Sequence, residues 1–340
     1  DNGIIVKTDD VDTLSDALAY FIKNKNKINE MGKRSRVYYD EFASIDSHKR
    51  ELEKAFNNAK YTKPISYVKN NNKQVKYPKL IVSLTSYPAR IQFVKETIES
   101  LLNQDYPDFK VILWLSKTQF EIEKAELPSD LLNQSKNKNF EIKWVDDDLR
   151  PHKKYIYAAK SYPEDPLVIV DDDAIYSPNM LKILATSYLR HPDCISANRV
   201  NLIQFNRHKE FRSYTGWTMG YKALIDTPSF QLLPTGVGGV LYPPHAISKE
   251  AINPSVIKGV CIDADDLWLK INTVMSGYKT VLAKDFVLPK TIDGSQETAL
   301  WKSNVFKEGN DQALQKILKY LDSTSCLLYT SDAADDKARV

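Results

Sequence analysis

Cysteine is scarce in this sequence, and its scarcity excludes two kinds of site. The 340 residues contain three cysteines, Cys194, Cys261 and Cys326, which lie far apart and are odd in number. They supply neither a disulfide framework nor a Cys-x-x-Cys metal site, and this usage suits a reducing compartment. The five histidines also lack the spacing of metal ligands, so we interpret them as structural.

Long hydrophobic runs, a signal peptide and an excess of one charge are missing as well. No apolar stretch approaches the length of a membrane span. The formal net charge is +3, with basic and acidic residues intermixed, so nothing favours a nucleic-acid partner. We expect a cytoplasmic protein, with peripheral association at the inner face of the membrane left open. Because the first residue is Asp1 rather than Met, we expect a piece of a longer chain.

Short apolar strands alternate with helix-prone sequence from residue 78 onward. Strands are predicted at 79–84, 110–115, 141–145 and 167–170, with helical stretches between them. This alternation predicts right-handed crossovers and a mainly parallel sheet flanked by helices. The predicted fold class is therefore α/β.

The two ends of the chain do not follow this alternation. A strand is predicted at 2–6, a helix with Asp12 as its N-cap, and further helices at 28–39 and 46–56. The C-terminal end resembles translated read-through of a sequencing adaptor and is excluded from the fold. The predicted divisions are a helical unit at 1–56, a linker at 57–77, the main domain at 78–322 and a non-native tail at 323–340.

Three consecutive aspartates, Asp171, Asp172 and Asp173, follow the apolar strand at 167–170. An uninterrupted apolar run of this kind is typical of a strand that is buried on both faces of a sheet. Open α/β sheets bind ligands at the carboxyl ends of such strands. Three adjacent carboxylates repel one another, and a divalent cation with oxygen ligands would relieve that repulsion. The alternative is an acidic surface turn. The apolar strand and a second acidic cluster downstream favour the cation site.

The second cluster is Asp265 and Asp266 at the start of a predicted helix, and a third ends a strand at 146–148. Moving a sugar from a nucleotide diphosphate needs carboxylates that hold a metal at the leaving diphosphate. It also needs a base that takes the proton of the attacking hydroxyl, and this base must come from a distant segment. Asp265 and Asp266 fit by their separation. The alternative is that these two acidic residues serve only the helix, since negative charge at a helix N-terminus is stabilised by the helix dipole.

Two further segments are candidates for ligand contact. Asp148 ends a predicted strand and could accept a hydrogen bond from a base or ribose, while a lysine of the following turn could meet a phosphate. A solvated charged turn explains the same residues equally well. The glycines at 236–239 lack the strand–glycine–helix context of a nucleotide fingerprint, so they indicate a mobile loop beside a ligand or a simple turn.

With these segments in place, residues 79–321 resemble a GT-A glycosyltransferase domain related to family 2. The resemblance rests on the order and spacing of several short motifs rather than on any single one. The motifs are SLTSYPARI (83–91), Asp148 with Pro151 and Lys154, VIVDDD (168–173), PTGVGGVLYPP (234–244), ADDLWLK (264–270) and QETALW (296–301).

The resemblance implies a nucleotide pocket lined by Thr85, Tyr87, Arg90 and Asp148. Lys154 would face a phosphate or hold Asp148. The donor implied is a nucleotide-sugar, most simply a UDP-sugar.

The resemblance also assigns roles to the acidic clusters. Asp171 and Asp173 would serve a Mn²⁺ or Mg²⁺ that bridges the diphosphate, with Asp171 near the ribose, and Asp172 would assist the ribose or the sugar. Asp266 resembles the general base of inverting members, with Asp265 as its competitor. The loop glycines Gly238 and Gly239 would lie beside the donor sugar or the acceptor.

The sequence departs from family 2 at two places. Gln296 and Trp301 only loosely resemble its QxxRW element, since the arginine is absent and the spacing differs by one. The aspartate that family 2 usually has after the second strand is missing from residues 114–117 of this sequence. The identity of the donor nucleotide therefore stays open. The N-terminal part resembles the end of a family-4 GT-B glycosyltransferase through the segments 2–6 and 31–36, although a generic helical cap is equally compatible.

The function expected is a metal-dependent inverting glycosyltransferase that acts on a saccharide acceptor in bacterial surface polysaccharide assembly. If the N-terminal resemblance holds, the parent chain carried a second glycosyltransferase module. Two alternatives stay open. An aspartate-dependent phosphatase also uses a strand ending in D-x-D, and a non-catalytic carbohydrate-binding module would bind saccharide without consuming a nucleotide-sugar.

Overall fold

The structure is a computed structural model that describes residues 11–38, 76–120, 127–207, 210–295 and 309–324. The chain divides into two compact units, Asp1–Val75 and Lys76–Val340. The predicted domain boundaries stay predictions. Several predicted features lie outside the described residues, namely the strand at 2–6, the helix at 46–56, nearly all of the linker, the motif at 296–301 and the tail beyond 324.

The described part of the first unit consists of two helices. Helix α1 is Val11–Lys23 and helix α2 is Lys25–Tyr38, which confirms two of the predicted helical stretches. The prediction that Asp12 caps the first helix is wrong, because Asp12 lies within its first turn, where a carboxylate meets the positive end of the dipole. No residue of α1 is buried, so its apolar side chains Leu14 and Leu18 are exposed.

The second unit contains a seven-stranded central sheet and two short two-stranded sheets. The strands are β1 Leu80–Thr85, β2 Phe109–Ser116, β3 Phe140–Val145, β4 Leu167–Ile169, β5 Ala174–Ile175, β6 Cys194–Ala197, β7 Val200–Leu202, β8 Leu232–Pro234, β9 Val240–Tyr242, β10 Lys279–Leu282 and β11 Lys290–Thr291. Along the central sheet the strand order is β10-β6-β9-β4-β1-β2-β3. Strands β5 and β11 form one small sheet, and β7 and β8 form the other.

The central sheet is parallel except at β9, which runs antiparallel to both of its neighbours, β4 and β6. This confirms the predicted α/β class with a mainly parallel sheet, as expected of a Rossmann-like GT-A domain. The predicted helices are present in the order expected, namely α3 Val94–Leu102, α4 Ser129–Gln134, α5 Lys153–Ser161, α6 Met180–Arg190, α8 Asp265–Met275 and α9 Gly309–Thr324. A further helix, α7 Pro254–Val260, was not predicted from the sequence.

Alternation along the strands builds a hydrophobic core on each face of the sheet. In β1, Leu80 and Val82 point into one core, while Ile81 points into the other. The first core is completed by side chains such as Ile98 of α3, and the second by side chains such as Tyr155 of α5. Both faces of β1 are therefore buried, which explains why its sequence is apolar almost throughout.

The order of the strands places a crevice beside β1. The chain runs from β1 to β2 and β3 on one side, and β4 then pairs with the other side of β1. Open α/β sheets bind ligands at such a reversal, outside the carboxyl ends of the strands. The described helices include none that is both long and apolar enough to cross a membrane.

Lys270 of α8 is a buried lysine for which the described residues supply no carboxylate partner. Its side chain is 2% exposed, and its Nζ donates a hydrogen bond to Thr280 Oγ1 of β10 at 3.2 Å. Burial lowers the pKa of Lys270 to about 7. Above pH 7 the folded protein therefore holds Lys270 mainly in the neutral form, whereas the lysine of the unfolded chain is still charged there.

We expect Lys270→Met to raise the free energy of unfolding by about 3–5 kcal/mol at pH 6. The unfolded lysine keeps its proton up to its ordinary pKa, so the unfolded chain binds more protons between pH 7 and 10 and the wild type gains stability as pH rises. The gain from the substitution should fade over that window. Urea unfolding of both proteins from pH 6 to pH 10 measures it, and a gain independent of pH would contradict the account.

Candidate functional site

A cavity of about 830 Å³ opens at the carboxyl ends of β1 and β4 and at the start of α8. Its volume is within the range of small-molecule sites. The cavity wall brings together most of the residues selected from the sequence, including the triplet and both members of the downstream pair. The predicted residues on it are Thr85, Tyr87, Arg90, Asp148, Lys154, Asp171, Asp172, Asp173, Asp265 and Asp266.

Asp172 and Asp173 share one buried guanidinium. The Nη2 atom of Arg90 lies 2.6 Å from an oxygen of Asp172 and 2.7 Å from an oxygen of Asp173. Ser86 also donates its hydroxyl to Asp172, and Thr97 of α3 donates to the Asp172 backbone carbonyl at 3.0 Å. Burial raises the pKa of Asp172 to about 6, although Arg90 acts in the opposite direction. The turn after β4 is thus fixed from β1 and α3.

Asp171 belongs to a different ion-pair group. The Nζ atom of Lys154, in α5, lies 2.7 Å from Asp171 Oδ1 and 2.7 Å from Asp265 Oδ2. Lys154 is buried, and although burial alone would lower its pKa, Asp171 and Asp265 with nearby Asp266 raise it well above the ordinary value. Lys154 therefore stays charged and joins the triplet to the start of α8.

Asp265 and Asp266 are adjacent, but their environments drive their pKa values apart. Burial would raise the pKa of Asp265, but contact with Lys154 and the nearby His152 lower it overall. Burial and the charge of Asp265 raise the pKa of Asp266, whose Oδ1 accepts a hydrogen bond from the Gly236 backbone N–H at 3.1 Å. Asp265 is thus a committed ion-pair partner, and Asp266 is a carboxyl group able to exchange a proton in the cavity.

Gly236 brings the loop backbone directly onto this ion-pair group. A Cβ atom at this position would lie 2.8 Å from Asp171 Oδ1 and 3.0 Å from Lys154 Nζ. Both atoms belong to an ion pair between buried Lys154 and partly exposed Asp171, which cannot move apart without loss of the contact. Only glycine fits here without a shift of the site.

We expect Gly236→Ala to lower the free energy of unfolding by about 1–3 kcal/mol because it overpacks the site. Gly259 of α7 is the matched control, since a Cβ there would meet nothing within 4 Å. Gly259→Ala should instead stabilise the protein by about 0.5 kcal/mol, as alanine is the better helix former. Urea unfolding measures both changes, and equal effects of the two substitutions would contradict this role of Gly236.

Gly238 and Gly239 serve packing in the described structure. A Cβ on Gly238 would lie 2.5 Å from the Arg199 Cβ, and Gly239 has a φ of +80° and approaches Met180 of α6. The loop residues on the cavity wall are instead Thr235 and Val237. A role of the two glycines beside a sugar stays a prediction.

Asp148 is held by Lys153 rather than by its neighbour. Lys153 is buried, its Nζ lies 2.5 Å from Asp148 Oδ1, and it also donates to Gln119 Oε1 at 3.1 Å. The expectation that Lys154 holds Asp148 is therefore wrong, because the two neighbouring lysines of α5 pair with different carboxylates. Burial lowers the pKa of Lys153 in spite of Asp148.

Arg199 and Tyr214 line the cavity, but no sequence motif selected them. Arg199 follows β6 and donates from Nη1 to the Thr235 hydroxyl at 2.8 Å. Tyr214 is held through its backbone N–H, which donates to Asp311 of α9 at 2.7 Å. The signal for Arg199 in the sequence was its place two residues after the end of a strand at this edge of the sheet. Tyr214 belongs to an aromatic stretch at 205–221, for which stacking on sugar rings and core packing were both open.

The predicted structural role of the histidines is clear at His152. Its Nδ1 lies 2.7 Å from the Tyr155 hydroxyl and its Nε2 lies 2.9 Å from the Cys261 carbonyl. Burial lowers the pKa of His152 to about 4, so it is neutral near pH 7. It ties α5 to the segment before α8 and thereby positions Lys154 opposite Asp265.

The resemblance implies a divalent cation, and the ligand chemistry of the triplet fits one. Asp172 and Asp173 converge on a single positive atom of Arg90, and carboxylate oxygens are the ligands that Mg²⁺ and Mn²⁺ prefer. The described residues contain no group of three or more protein ligands around one point, so substrate oxygens and water would complete the shell. Seven aspartates and five basic side chains line the cavity, which leaves an excess of negative charge for a cation to balance.

No protein-family model matches the chain, and no curated protein matches it significantly. Solved structures that resemble part of it include the mannosyltransferase PcManGT from Pyrobaculum calidifontis in complex with GDP-Man and Mn²⁺. That structure is 15% identical with a TM-score of 0.46, over 72% of this chain and 65% of that one, so this chain spans less than two thirds of its length. Apo UDP-glucose pyrophosphorylase is 11% identical with a TM-score of 0.35, over 69% of this chain and 100% of that one. Both likenesses are remote, and neither assigns a function.

Proposed function

We propose that this chain is an inverting glycosyltransferase, which moves a sugar from a nucleotide-sugar to a hydroxyl of a saccharide with the help of a divalent cation. One observation carries the proposal. A strand-end aspartate triplet and a separate carboxyl group with a raised pKa, Asp266, face one cavity at the crevice of an open α/β sheet. This is the arrangement that leaving-group stabilisation and base catalysis together require.

The nucleotide is assigned to the half of the cavity above β1, β2 and β3. The turn after β1 contributes Thr85 and Tyr87 there, and the segment after β3 contributes Asp148. Asp148 is fixed by Lys153, so its second oxygen is in place to accept a hydrogen bond from a ribose or base. A UDP-sugar is the donor we propose.

Asp266 is proposed as the general base and Asp265 as its fixed neighbour. Asp265 is engaged by Lys154, whereas Asp266 faces the cavity with a pKa raised toward the working range of a base. The acceptor hydroxyl gives its proton to the Asp266 carboxylate while its oxygen attacks the anomeric carbon. The bond from that carbon to the diphosphate oxygen breaks on the opposite face, and the nucleoside diphosphate leaves.

A bound Mn²⁺ or Mg²⁺ would neutralise the leaving diphosphate. Asp173 would hold it, with Asp171 or Asp172 as second ligand. The excess of carboxylates in the cavity supports this requirement, because an anionic donor placed there alone would be repelled. The protein's own contribution is to fix these oxygens through Arg90 and Lys154.

The biological setting we propose is assembly of a bacterial surface polysaccharide, in a parent chain that carried a second glycosyltransferase module. A polymer of sequential linkages would suit two modules in tandem.

A nucleotide-release screen tests the proposal. The full chain is incubated with Mn²⁺ and a panel of UDP-, GDP-, CMP- and dTDP-sugars, because slow donor hydrolysis needs no acceptor. We expect release from one donor and its loss in Asp173→Ala. Asp146→Ala is the matched control, since Asp146 is an exposed carboxylate outside the cavity.

Three outcomes would overturn the proposal in different ways. Release that persists in Asp173→Ala would show that the triplet is not the site. Hydrolysis of a chromogenic phosphate ester instead of any nucleotide-sugar would favour the phosphatase. Saccharide binding without turnover of any donor would favour the carbohydrate-binding module.

A further inference from the structure

Arg199 is the basic side chain of the cavity that the described residues leave without a carboxylate partner. Its guanidinium carries five N–H donors, and its hydrogen bond to a side chain goes to the Thr235 hydroxyl at 2.8 Å. The residue is half-buried and lines the cavity. A charged fork in this setting has donors to spare for a ligand.

The other basic residues of the cavity are all committed. Arg90 contacts Asp172 and Asp173, and Lys154 contacts Asp171 and Asp265, at the distances given above. The remaining two are Lys153, paired with Asp148, and Arg150, paired with Asp263. Arg199 therefore differs from its four counterparts in the same cavity.

Arg199 lies on the far side of the triplet from the proposed nucleotide half. Strand β4, which leads into the triplet, has β1, β2 and β3 on one side and β9, β6 and β10 on the other. Arg199 follows β6, on the second side. The loop before β9 connects the two halves: Thr235 holds Arg199, and the next residue, Gly236, donates to Asp266.

The Tyr214 hydroxyl lies within electrostatic reach of both Arg199 and the proposed base. Burial raises the pKa of Tyr214 to about 12, and the charges of Asp266 and Arg199 act on the same hydroxyl in opposite directions. Tyr214 and the loop residues Thr235 and Gly236 thus each link Arg199 to the part of the cavity that contains Asp266. A saccharide whose hydroxyl meets Asp266 would present its other substituents to Arg199 and Tyr214.

We infer, on the basis of the proposed function, that the saccharide acceptor is anionic and that Arg199 binds its carboxylate or phosphate group. The planar guanidinium suits both groups, since each presents two oxygens to a fork of N–H donors. Because Thr235 holds Arg199 and the next residue, Gly236, donates to Asp266, this contact is assigned to the acceptor rather than to the donor. Arg199 thereby selects acidic sugars or sugar phosphates over neutral ones.

Binding of three matched sugars tests the inference. Glucuronate, glucose 6-phosphate and glucose are titrated into the full chain with Mg²⁺, in the presence and absence of UDP, and binding is followed by saturation-transfer NMR. We expect at least one charged sugar to bind about tenfold or more tightly than glucose. Preference for glucuronate or for glucose 6-phosphate identifies which anionic group the acceptor carries.

Variants isolate the role of Arg199. Arg199→Gln should lower the affinity for the charged sugar to that for glucose. Arg199→Lys should keep part of the preference, because lysine keeps the positive charge but lacks the planar fork of N–H donors. Arg190→Gln is the matched control and should retain the preference, because Arg190 pairs with Asp226 and does not line the cavity. If Arg199→Gln fails to fold, Thr235→Val, which removes the hydrogen bond that orients Arg199, should weaken the preference.

The inference would be overturned if the charged sugars bound no more tightly than glucose or not at all. A preference for charged sugars that survives Arg199→Gln would overturn it as well. These results differ from failure of the proposed function. That failure appears as the absence of turnover of every nucleotide-sugar in the acceptor-free screen. The inference fails by itself when a donor is turned over but no preference for charge is found.

Discussion

Lys154→Met is expected to abolish sugar transfer and to lower the free energy of unfolding by about 3–5 kcal/mol. The ammonium of Lys154 is the shared partner of Asp171 and Asp265, both at 2.7 Å. Its loss leaves buried Asp265 and partly exposed Asp171 without a counter-charge, with a third carboxyl group, Asp266, close by. Removal of one partner of a buried ion pair costs more stability than the intact pair contributes, because the other charge is left buried and unpaired.

The measurement combines urea unfolding with nucleotide release. Lys182→Met is the matched control, because Lys182 pairs with Asp105 at 3.0 Å on the surface, where both side chains are exposed. Lys182→Met should lower the free energy of unfolding by less than about 1 kcal/mol. Equal losses of stability in the two variants would contradict the central place of Lys154.

Asp266→Asn is expected to slow sugar transfer by about 10²–10⁴-fold, the usual contribution of a general base. Asparagine keeps the hydrogen bond from Gly236 but cannot accept the proton of the acceptor hydroxyl. Nucleotide binding should be retained, because the donor half of the cavity is untouched. The loss should therefore appear in kcat rather than in the KM for the donor.

Asp265→Asn distinguishes the two neighbours. Because Asp265 is paired with Lys154, its substitution should act mainly on stability and on the position of Lys154. The two variants are compared by transfer kinetics and by urea unfolding. If Asp265→Asn loses the chemical step while Asp266→Asn keeps it, the assignment of the base is reversed.

The sheet and the place of the site could be predicted from the sequence because both depend on local patterns. The apolar run that forms β1 specifies a strand buried on both faces, and the alternation with helices specifies parallel neighbours. The triplet then had to lie at the carboxyl edge. The antiparallel β9 was not predicted, because its three residues carry no signal of direction.

The partners of the charged residues could not be predicted, because they depend on which side of a helix faces which strand end. Lys153 and Lys154 are neighbours in sequence but pair with Asp148 and Asp171, respectively. Gly236, rather than Gly238 or Gly239, makes the close approach to the site. Such contacts arise from packing between segments that are distant in sequence.

Titration calorimetry of nucleoside diphosphates tests the central claim most directly. UDP and GDP are titrated into the full chain with Mn²⁺ and again with a chelator, beside Asp173→Ala. The account predicts that one diphosphate binds, that binding requires the metal, and that Asp173→Ala loses it, because the cavity alone carries an excess of carboxylates. Absence of binding in the presence of Mn²⁺, or equal binding with the chelator, would contradict it.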